Sequence, residues 1–372
     1  MQTVLISGAG VAGCTLAYWL RRNGFAPTVV ERAPGPRPGG QAVDIRGVAL
    51  DVVECMGLLG RVRQVATRMR GMSLLDADGS EVHRSTEFTF SSGRLDSGDV
   101  ELLREDLMAM LSQLASREAE FIYADRVTGL VQDDGGVHVD FEHRASRTFD
   151  LVVGADGLHS AVRGLAFGPE AEFLHHLGTH LAIFSSDNFL GLDNWQLWQR
   201  DGDAGYGIYP VRDNSELRIT FGFASGPLDP ETLCPEVLKA KVAERMGRLR
   251  WETQRLVKAL WAAPDFYSDA MAQIRLDQWS RGRVVLLGDA GCCASPLSGQ
   301  GTSLALVGAY VLAGALGQGS GDHRAAFARY EARLRPFAAL NQALATENPG
   351  GPASAESVER AKNAIALDVR GT

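Results

Sequence analysis

The sequence has few cysteines, no excess of positive charge and no long apolar segment among its 372 residues. Its five cysteines are odd in number and form no CxxC pair, so neither a disulfide framework nor a zinc site is indicated. The net charge of −8, without clusters of basic residues among aromatic ones, argues against a nucleic-acid partner. No apolar stretch reaches the length of about 18 residues that a membrane-spanning helix requires without a charged or polar interruption. We therefore expect no nucleic-acid partner, no membrane partner and no metal site.

The beginning of the chain also lacks the charged and apolar regions of a secretory signal peptide. It opens instead on a strand-like run, which favours a cytoplasmic protein with free thiols. Hydrophobic residues make up 45% of the sequence and charged residues 22%, as in globular proteins with a sizeable core. The length allows two or three domains, and both a monomer and a homodimer remain open.

Three short apolar runs that stop at glycine indicate strands buried on both faces of a parallel sheet. They are residues 4–6, 151–153 and 284–287. A helical pattern over residues 13–23 and a further strand at residues 28–30 follow the first run. Together these elements predict a βαβ unit at the start of the chain.

Other segments carry shorter periodic patterns. Residues 72–90 and 137–153 alternate between polar and apolar side chains around turn residues, which predicts antiparallel hairpins. Residues 101–115 and 303–316 predict helices. The tail after Pro349 reads as a final surface helix.

A glycine-rich fingerprint lies between the first strand and the first helix. Residues 8–13 read GAGVAG, a GxGxxG sequence, and Glu31 ends the next strand. This context predicts a dinucleotide site. Gly8 permits the tight turn, Gly10 lets a pyrophosphate approach the helix N-terminus, and Gly13 allows close packing of helix on sheet. Glu31 can accept hydrogen bonds from ribose hydroxyls, but the fingerprint alone does not separate FAD from NAD.

Two longer motifs make that distinction. Residues 154–163 read GADGLHSAVR, and residues 288–301 read GDAGCCASPLSGQG. With the N-terminal fingerprint, they resemble the three motifs of the para-hydroxybenzoate hydroxylase family, the single-component flavoprotein aromatic hydroxylases. The resemblance extends over roughly residues 1–340 and implies FAD as the cofactor.

The resemblance also assigns roles to individual residues. It implies that Asp289 binds the ribityl chain of FAD, while Pro296, Gly299 and Gly301 lie against the isoalloxazine ring. A glycine-rich strand-to-helix turn presents N–H groups to an anion, and reduced flavin is negatively charged at its pyrimidine end. An ordinary turn with a capping aspartate is the alternative interpretation of Asp289.

Two further assignments have competing structural interpretations, and a third concerns Arg46. Arg104 would contact phosphate or ring-side groups of FAD, or else be a solvated arginine on a helix. Asp156 would serve FAD and the nicotinamide donor, or else satisfy local backbone donors in a turn. Arg46 falls where relatives place a flavin-side residue. The predicted cofactor-binding residues are Gly8, Gly10, Val11, Ala12, Gly13, Glu31, Arg32, Arg46, Arg104, Asp156, Asp289, Pro296, Gly299 and Gly301.

The expected fold class is α/β, with a Rossmann-like FAD-binding domain, a second, mainly antiparallel-sheet substrate domain and a C-terminal helix. The second domain is expected where four of the six tryptophans and several strand-like runs concentrate. The predicted FAD-binding domain is discontinuous and comprises residues 1–72, 96–171 and 273–330. The predicted substrate domain comprises residues 73–95 and 172–272, and residues 331–372 form a C-terminal helical segment.

The resemblance implies an FAD-dependent monooxygenase. NADPH or NADH would reduce FAD, O2 would add to the ring as a C4a-hydroperoxide, and one oxygen atom would pass to an aromatic or polyketide-like small molecule. No catalytic side chain is assigned, because the flavin carries the chemistry. Residues 40–44 and the short tail look closer to the tetracycline-inactivating and polyketide-hydroxylating branch than to other hydroxylases.

Two other functions remain open on the same fold. One is a flavoprotein oxidoreductase that inserts no oxygen, and the other is a non-catalytic flavin-binding partner in a biosynthetic complex. Within the second domain, aromatic side chains are candidates for the wall of the substrate pocket, although core packing is the alternative for most of them. These candidates are Trp195, Trp198, Tyr206, Tyr209 and Phe221.

Overall fold

The computed structural model describes residues 1–36, 39–227, 234–319, 321–348 and 351–368. We number its strands and helices along the chain. The strands are β1 (Thr3–Ser7), β2 (Ala26–Glu31), β3 (Ala42–Ile45), β4 (Gly71–Leu75), β5 (Glu81–Ser85), β6 (Phe88–Thr89), β7 (Gly93–Arg94), β8 (Val100–Leu103), β9 (Glu120–Tyr123), β10 (Val127–Asp133), β11 (Gly136–Phe141), β12 (Arg147–Phe149), β13 (Leu151–Gly154), β14 (Leu174–Asp187), β15 (Trp195–Asp201), β16 (Ala204–Val211), β17 (Glu216–Ala224), β18 (Tyr267–Ile274), β19 (Ser280–Arg281) and β20 (Val284–Leu286). The helices are α1 (Val11–Arg22), α2 (Ala49–Cys55), α3 (Leu59–Gln64), α4 (Arg104–Ala115), α5 (Ala161–Phe167), α6 (Pro235–Met246), α7 (Thr253–Ala262), α8 (Asp289–Cys292), α9 (Gly301–Gly317), α10 (His323–Glu347) and α11 (Ala355–Lys362).

A six-stranded sheet carries the glycine-rich motifs. Its strand order is β19-β20-β13-β1-β2-β9, and every pairing except β19 with β20 is parallel. The three apolar runs form the adjacent strands β1, β13 and β20, as the sequence predicts. Ser7 lies opposite Gly154, and Gly154 lies opposite Leu286. The three motifs therefore leave the sheet at the same edge, where the carboxyl ends of parallel strands meet.

The helices around this sheet bury its faces. Helix α1 packs against α4 and α9, and α10 packs against α9. The rings of Trp19 on α1 and Tyr310 on α9 meet edge to face, with centroids 5.0 Å apart. Helix α9 has buried residues along nearly its whole length because it lies between α1 and α10. This packing fixes the N-termini of α1 and α9 relative to the sheet edge.

The second large sheet has seven strands in the order β18-β14-β17-β16-β15-β4-β5. All of its pairings are antiparallel except that of β4 with β15. Side chains of this sheet, including Phe184 and Phe221, form a hydrophobic cluster with residues of α6 and α7. These features confirm the predicted fold class, while the exact division of the chain into domains stays a prediction.

One predicted helix boundary is wrong. The helical pattern starts at Glu101, but residues Val100–Leu103 form β8 and the helix α4 begins at Arg104. Strand β8 pairs with β3 in an antiparallel ribbon, which places Glu101 opposite Asp44. Pairing with a distant strand overrides the local helical preference here.

The C-terminal segment is a helix, as predicted, but it is not only a surface element. In α11 and the residues after it, Ala361, Lys362 and Ile365 are buried. The helix packs against α10, and Asn341 of α10 donates a side-chain hydrogen bond to the carbonyl of Ala361. Among the described helices, none has both the length and the apolar character needed to cross a membrane.

Candidate functional site

Two glycines of the fingerprint are fixed by close packing. Gly8 has φ of +104°, and a Cβ atom there would lie 2.5 Å from the carbonyl oxygen of Ala155. At Gly13, a Cβ atom would lie 1.9 Å from the carbonyl oxygen of Gly8. Both positions therefore exclude any side chain, because the turn, the neighbouring motif and α1 approach one another at backbone distance.

Gly10 is different, because the space beside it is open. A Cβ atom at Gly10 would meet no other atom within 4 Å. Gly10 caps α1 without a side-chain hydrogen bond, and the first turn of α1 contains no acidic residue. The first N–H groups of the helix, at Val11, Ala12 and Gly13, lack helical acceptors by geometry. The helix start is thus arranged to bind an anion such as a pyrophosphate.

Glu31 lies at the end of β2 beside this turn. Its Oε2 accepts a hydrogen bond of 2.9 Å from the N–H of Ala9, and its Oε1 accepts one of 2.9 Å from the N–H of Ala33. The carboxylate holds the fingerprint turn against the end of the second strand. Each carboxylate oxygen has a further lone pair that can accept from a ligand hydroxyl.

A cleft opens between this turn and α4. Its lining includes Gly10, Glu31, Arg104 and Tyr123. Arg104 stands at the start of α4 and lines the same cleft as Gly10 at the start of α1. Arg32, in contrast, is exposed next to the cleft. The structure thus brings together three of the predicted residues that would hold a nucleotide's ribose and phosphates, Gly10, Glu31 and Arg104.

The third motif forms a second part of the same sheet edge. Gly288, with φ of +61°, turns the chain after β20 so that Asp289 begins the short helix α8. Part of Asp289 is exposed to solvent, but protein atoms closely surround its carboxyl group. The resulting loss of hydration raises the pKa of this group above the usual value. A Cβ atom on Gly301 would lie 4.0 Å from Oδ1 of Asp289. Asp289 is therefore next to the N-terminus of α9.

Arg46 lies against this third motif and is buried. A Cβ atom on Gly299 would lie 3.3 Å from Nη1 of Arg46. The backbone N–H of Arg46 donates to Oγ of Ser303 in α9, at 3.0 Å. Nε of Arg46 and both polar atoms of the buried Gln300 side chain have no hydrogen-bond partner among the described residues. Buried polar groups normally have partners, so these groups point to a polar ligand at this position.

Two buried carboxyl groups surround the Arg46 guanidinium. Its Nη2 donates to Oδ2 of Asp44 and to the carbonyl oxygen of Ser91, both at 3.0 Å. Burial raises the pKa of Asp44 to about 7, and Arg46 opposes that rise. Burial likewise raises the pKa of Glu101, the cross-strand neighbour of Asp44. Arg46 is thus the cation of a buried acidic cluster.

The chemistry of the described residues at this sheet edge is compatible with FAD. The open helix start at Gly10 suits the pyrophosphate, Glu31 and Arg104 line the cleft beside it, and Asp289 and Arg46 lie at the other end. These groups meet at the carboxyl edge of one parallel sheet, where such folds bind dinucleotides. The sequence and the structure therefore agree on the kind of ligand.

A model of the FAD binding domain family matches residues 1–343. The chain belongs to this FAD-binding family. A flavin-dependent monooxygenase from an unknown prokaryotic organism is 37% identical to it, over 98% of this chain and 95% of the relative. An uncharacterised protein of Mycobacterium tuberculosis is 48% identical over 99% of both chains.

Solved structures give the same result. The tetracycline destructase Tet(55) superimposes on the chain with a TM-score of 0.87 at 34% identity, covering 99% of this chain and 98% of that one. The tetracycline destructase Tet(51) does so with a TM-score of 0.86 at 32% identity, covering 99% and 98%. The chain is an FAD-dependent monooxygenase that acts on a small molecule, as its three motifs imply.

In this monooxygenase, Asp156 of the second motif has local partners. Its carboxylate accepts hydrogen bonds from the hydroxyls of Ser7 and Ser160 and from the N–H of Val162. Asp156 therefore accepts hydrogen bonds from local donors in the turn, which is the alternative that the sequence left open. Direct contact of Asp156 with FAD or with the nicotinamide donor stays a prediction.

Arg163, at the end of the same motif, is fully buried and links two motifs. Its guanidinium donates to the carbonyl oxygens of Leu158 and Ala290 and to the carboxylate of Glu170. Ala290 directly follows Asp289, so Arg163 braces the turn that carries the ribityl-binding candidate. Its side chain supports the site from behind.

His159 joins the FAD-binding part of the monooxygenase to the seven-stranded sheet. Its Nδ1 lies 2.8 Å from Oε1 of Glu170, and its Nε2 lies 3.2 Å from Oδ1 of Asp269 on β18. Hydrogen bonds to Asp269 and Glu170 raise the pKa of His159 to about 10. The protonated ring therefore connects two carboxylates from different parts of the fold.

We expect His159→Gln to lower stability in a pH-dependent way. A histidine pKa raised from about 6.5 to about 10 adds stability that is complete below pH 6.5 and disappears as the pH rises through 10. Half of the side chain is exposed, so the loss at pH 6 should be about 1 kcal/mol. Urea unfolding at pH 6 and pH 10 measures it. A loss of equal size at both values would mean that the charge of His159 has no role.

Three of the five aromatic wall candidates fall into two groups. Trp198 is half-buried, donates from Nε1 to Oε1 of Gln196 at 3.0 Å, and has its ring 5.3 Å from that of Phe90. Tyr206 and Phe221 are instead buried in the hydrophobic cluster that includes residues of α6 and α7. Core packing, the alternative interpretation, holds for these two.

The structure adds residues that sequence reasoning missed. Asp44, Ser91 and Ser303 hold Arg46, and Glu101 lies opposite Asp44. A signal for Asp44 was present, because residues two apart on a strand share one face, which puts it beside Arg46. No local pattern marks Ser91 or Ser303, since their distance from Arg46 is set by folding.

Proposed function

We propose that the chain uses NADPH or NADH and O2 to hydroxylate an aromatic or polyketide-like small molecule. One oxygen atom of O2 replaces a hydrogen of the substrate as a hydroxyl group, and the other leaves as water. The nicotinamide donor supplies two electrons and a proton, and a second proton comes from solvent. Bound FAD supplies the electron transfer and the activation of O2, so the protein's task is to bind, orient and exclude water.

The residues at the sheet edge would hold FAD from both ends. The N–H groups at the start of α1 and the cation of Arg104 would bind its phosphates, and Glu31 would accept from its ribose hydroxyls. Asp289 would bind the ribityl chain. Arg46 would face the ring, beside the loop that ends at Gly301.

A continuous set of contacts leads from Arg46 to the seven-stranded sheet and indicates where the substrate would bind. Arg46 donates to the carbonyl of Ser91, and the hydroxyl of Ser91 accepts a hydrogen bond from Nε2 of Gln196. Gln196 in turn accepts from Trp198, whose ring meets Phe90. An aromatic surface with a fixed amide group thus adjoins the flavin side of the site. This observation carries the proposal.

This surface suits a flat polycyclic ligand with polar substituents. Half-buried aromatic rings favour stacking with another ring system, and the buried amide of Gln196 holds the Trp198 ring in place through its hydrogen bond. Tet(55) and Tet(51) are tetracycline destructases by name. A tetracycline-like or related polycyclic polyketide is therefore the substrate class that we propose.

The donor has no dinucleotide fingerprint of its own in the sequence, since residues 8–13 are the single GxGxxG that opens a helix after a strand. We infer that NADPH or NADH visits the flavin ring transiently. Pro296 and Leu297 are exposed in the short 3₁₀ turn Pro296–Ser298, which leaves one side of the third motif open to solvent. This open side is a route by which a nicotinamide ring reaches the flavin.

The decisive experiment follows oxygen into the product. We would incubate the FAD-loaded protein with NADPH or NADH, ¹⁸O₂ and a panel of tetracyclines, polycyclic polyketides and phenols, and analyse the products by mass spectrometry. The expected result is a product that gains one ¹⁸O atom only when reduced nicotinamide is present. An anaerobic reaction is the control.

The alternative functions predict other results. A flavoprotein that inserts no oxygen would oxidise the donor in a ligand-dependent way while every ligand retains its oxygen count. A non-catalytic flavin-binding partner would bind FAD without ligand-stimulated oxidation of NADPH or NADH. Either pattern across the whole panel would overturn the proposed hydroxylation.

A further inference from the structure

The C-terminal helix α11 reaches the flavin site through a buried lysine. Nζ of Lys362 lies 3.0 Å from Oδ2 of Asp99, and both side chains are about nine-tenths buried. Its second ionic partner, Glu359, lies 2.7 Å away and is largely exposed. The ion pair with Asp99 therefore connects the side chain of Lys362 with the protein interior.

Asp99 passes this contact on to the backbone next to Arg46. Its Oδ1 accepts a hydrogen bond of 3.0 Å from the N–H of Gly47. The carbonyl of Lys362 accepts a further bond from the N–H of Val48, at 3.3 Å. Gly47 has φ of +53°, and a Cβ atom there would lie 2.5 Å from that same carbonyl oxygen. The chain thus turns against α11 immediately after Arg46.

Two sets of contacts hold Arg46 in position, one to Arg46 itself and one to the next residue, Gly47. On one side its guanidinium donates to Asp44 and to the carbonyl of Ser91, and its N–H donates to Ser303. On the other side the chain leaves at Gly47, which Asp99 and Lys362 hold in place. A residue more than 300 positions away along the chain is therefore one hydrogen-bonded step from the loop carrying the flavin-side cation.

We propose that Lys362 is a positioning residue: through Asp99 and Gly47, it holds Arg46 against the loop around Gly299 and thereby sets how tightly and in which environment FAD binds. The inference rests on FAD occupying the site described above, and it does not depend on the identity of the substrate. It gives the C-terminal segment a role in the cofactor site that its sequence alone does not suggest.

Removal of the lysine charge changes the electrostatics of this region in a defined way. Asp99 is buried and its charge helps to raise the pKa of Asp44, so removal of Lys362 leaves an unpaired carboxylate beside the cluster that contains Asp44 and Arg46. An unpaired buried carboxylate is costly and draws water or a new partner towards itself. Arg46, the cation of that cluster, would be drawn towards the unpaired Asp99, which changes its position relative to Gly299.

The test compares Lys362→Met with Glu359→Gln. Flavin fluorescence titration of the apoprotein with FAD should give a dissociation constant about tenfold higher for Lys362→Met, equivalent to about 1.4 kcal/mol. The absorption spectrum of its bound FAD should also shift, since the charge facing the ring has moved. Glu359→Gln removes only the exposed partner of Lys362 and should bind FAD as the wild type does.

Two further variants separate the effect of the charges from a loss of folding. Lys362→Arg retains the cation and should bind FAD with most of the wild-type affinity. The double variant Lys362→Met with Asp99→Asn removes the unpaired carboxylate and keeps an acceptor for Gly47, so it should recover part of the affinity that Lys362→Met loses. Thermal unfolding of each apoprotein shows whether it is folded. Unchanged FAD affinity and spectrum in a folded Lys362→Met variant would overturn the proposal. Neither readout requires hydroxylation, so failure of the proposed function is a separate outcome.

Discussion

A Gly10→Val variant should fold like the wild type and lose FAD affinity by at least about a hundredfold, equivalent to about 2.7 kcal/mol. The side chain has room in the protein, because a Cβ atom at Gly10 meets nothing within 4 Å and the backbone there is extended. That same space is where a pyrophosphate would approach the first N–H groups of α1. A valine fills it with methyl groups and removes the contact.

Flavin fluorescence titration measures the affinity, and thermal unfolding of the apoprotein measures the fold. Gly13→Ala is the matched comparison from the same motif. Its Cβ atom would lie 1.9 Å from the carbonyl oxygen of Gly8, so this variant should lower the unfolding temperature of the apoprotein as well. If Gly10→Val binds FAD normally, the pyrophosphate does not lie at the start of α1.

An Arg46→Ala variant should destabilise the apoprotein by about 3–5 kcal/mol at pH 8, because it leaves the buried Asp44 carboxylate without its cation. The pKa of Asp44 is raised to about 7 in the folded protein. A carboxyl group with a raised pKa contributes stability that is complete below its unfolded value near 3.9 and lost as the pH rises through about 7. The destabilisation should therefore be smaller at pH 5, where Asp44 is protonated.

Urea unfolding of the wild type and the variant at pH 5 and pH 8 checks this prediction. The double variant Asp44→Asn with Arg46→Ala is the control, since it removes the buried negative charge together with its partner. It should be more stable than Arg46→Ala alone at pH 8. Equal losses at both pH values, or no recovery in the double variant, would show that Asp44 carries no charge there.

Much of the cofactor site could be predicted from local sequence. Gly8, Gly10 and Gly13 occur at fixed spacing between a strand and a helix, and this spacing is itself the geometric requirement of the turn. Asp289 likewise follows an apolar run that stops at glycine, which marks the end of a buried strand. The structure places these residues at one sheet edge because parallel strands with buried faces align their carboxyl ends.

The groups around Arg46 could not be predicted in the same way. Asp44 and Glu101 become neighbours only when β3 pairs with β8, and the sequence around Glu101 favours a helix instead. Ser91 and Gln196 meet between separate segments of the chain, and Lys362 reaches Asp99 from the far end of it. Such contacts depend on which elements pack together, and no local periodicity encodes them.

The sequence by itself determined the fold class, the FAD fingerprint and the order of the three motifs, because each depends on residue types at short, fixed spacings. Only the tertiary structure decided which charges are buried, which aromatic residues lie outside the core, and how the C-terminal helix contacts the loop after Arg46. Burial and long-range pairing are properties of the packed chain: a carboxyl group such as Asp44 acquires its raised pKa only when distant strands enclose it.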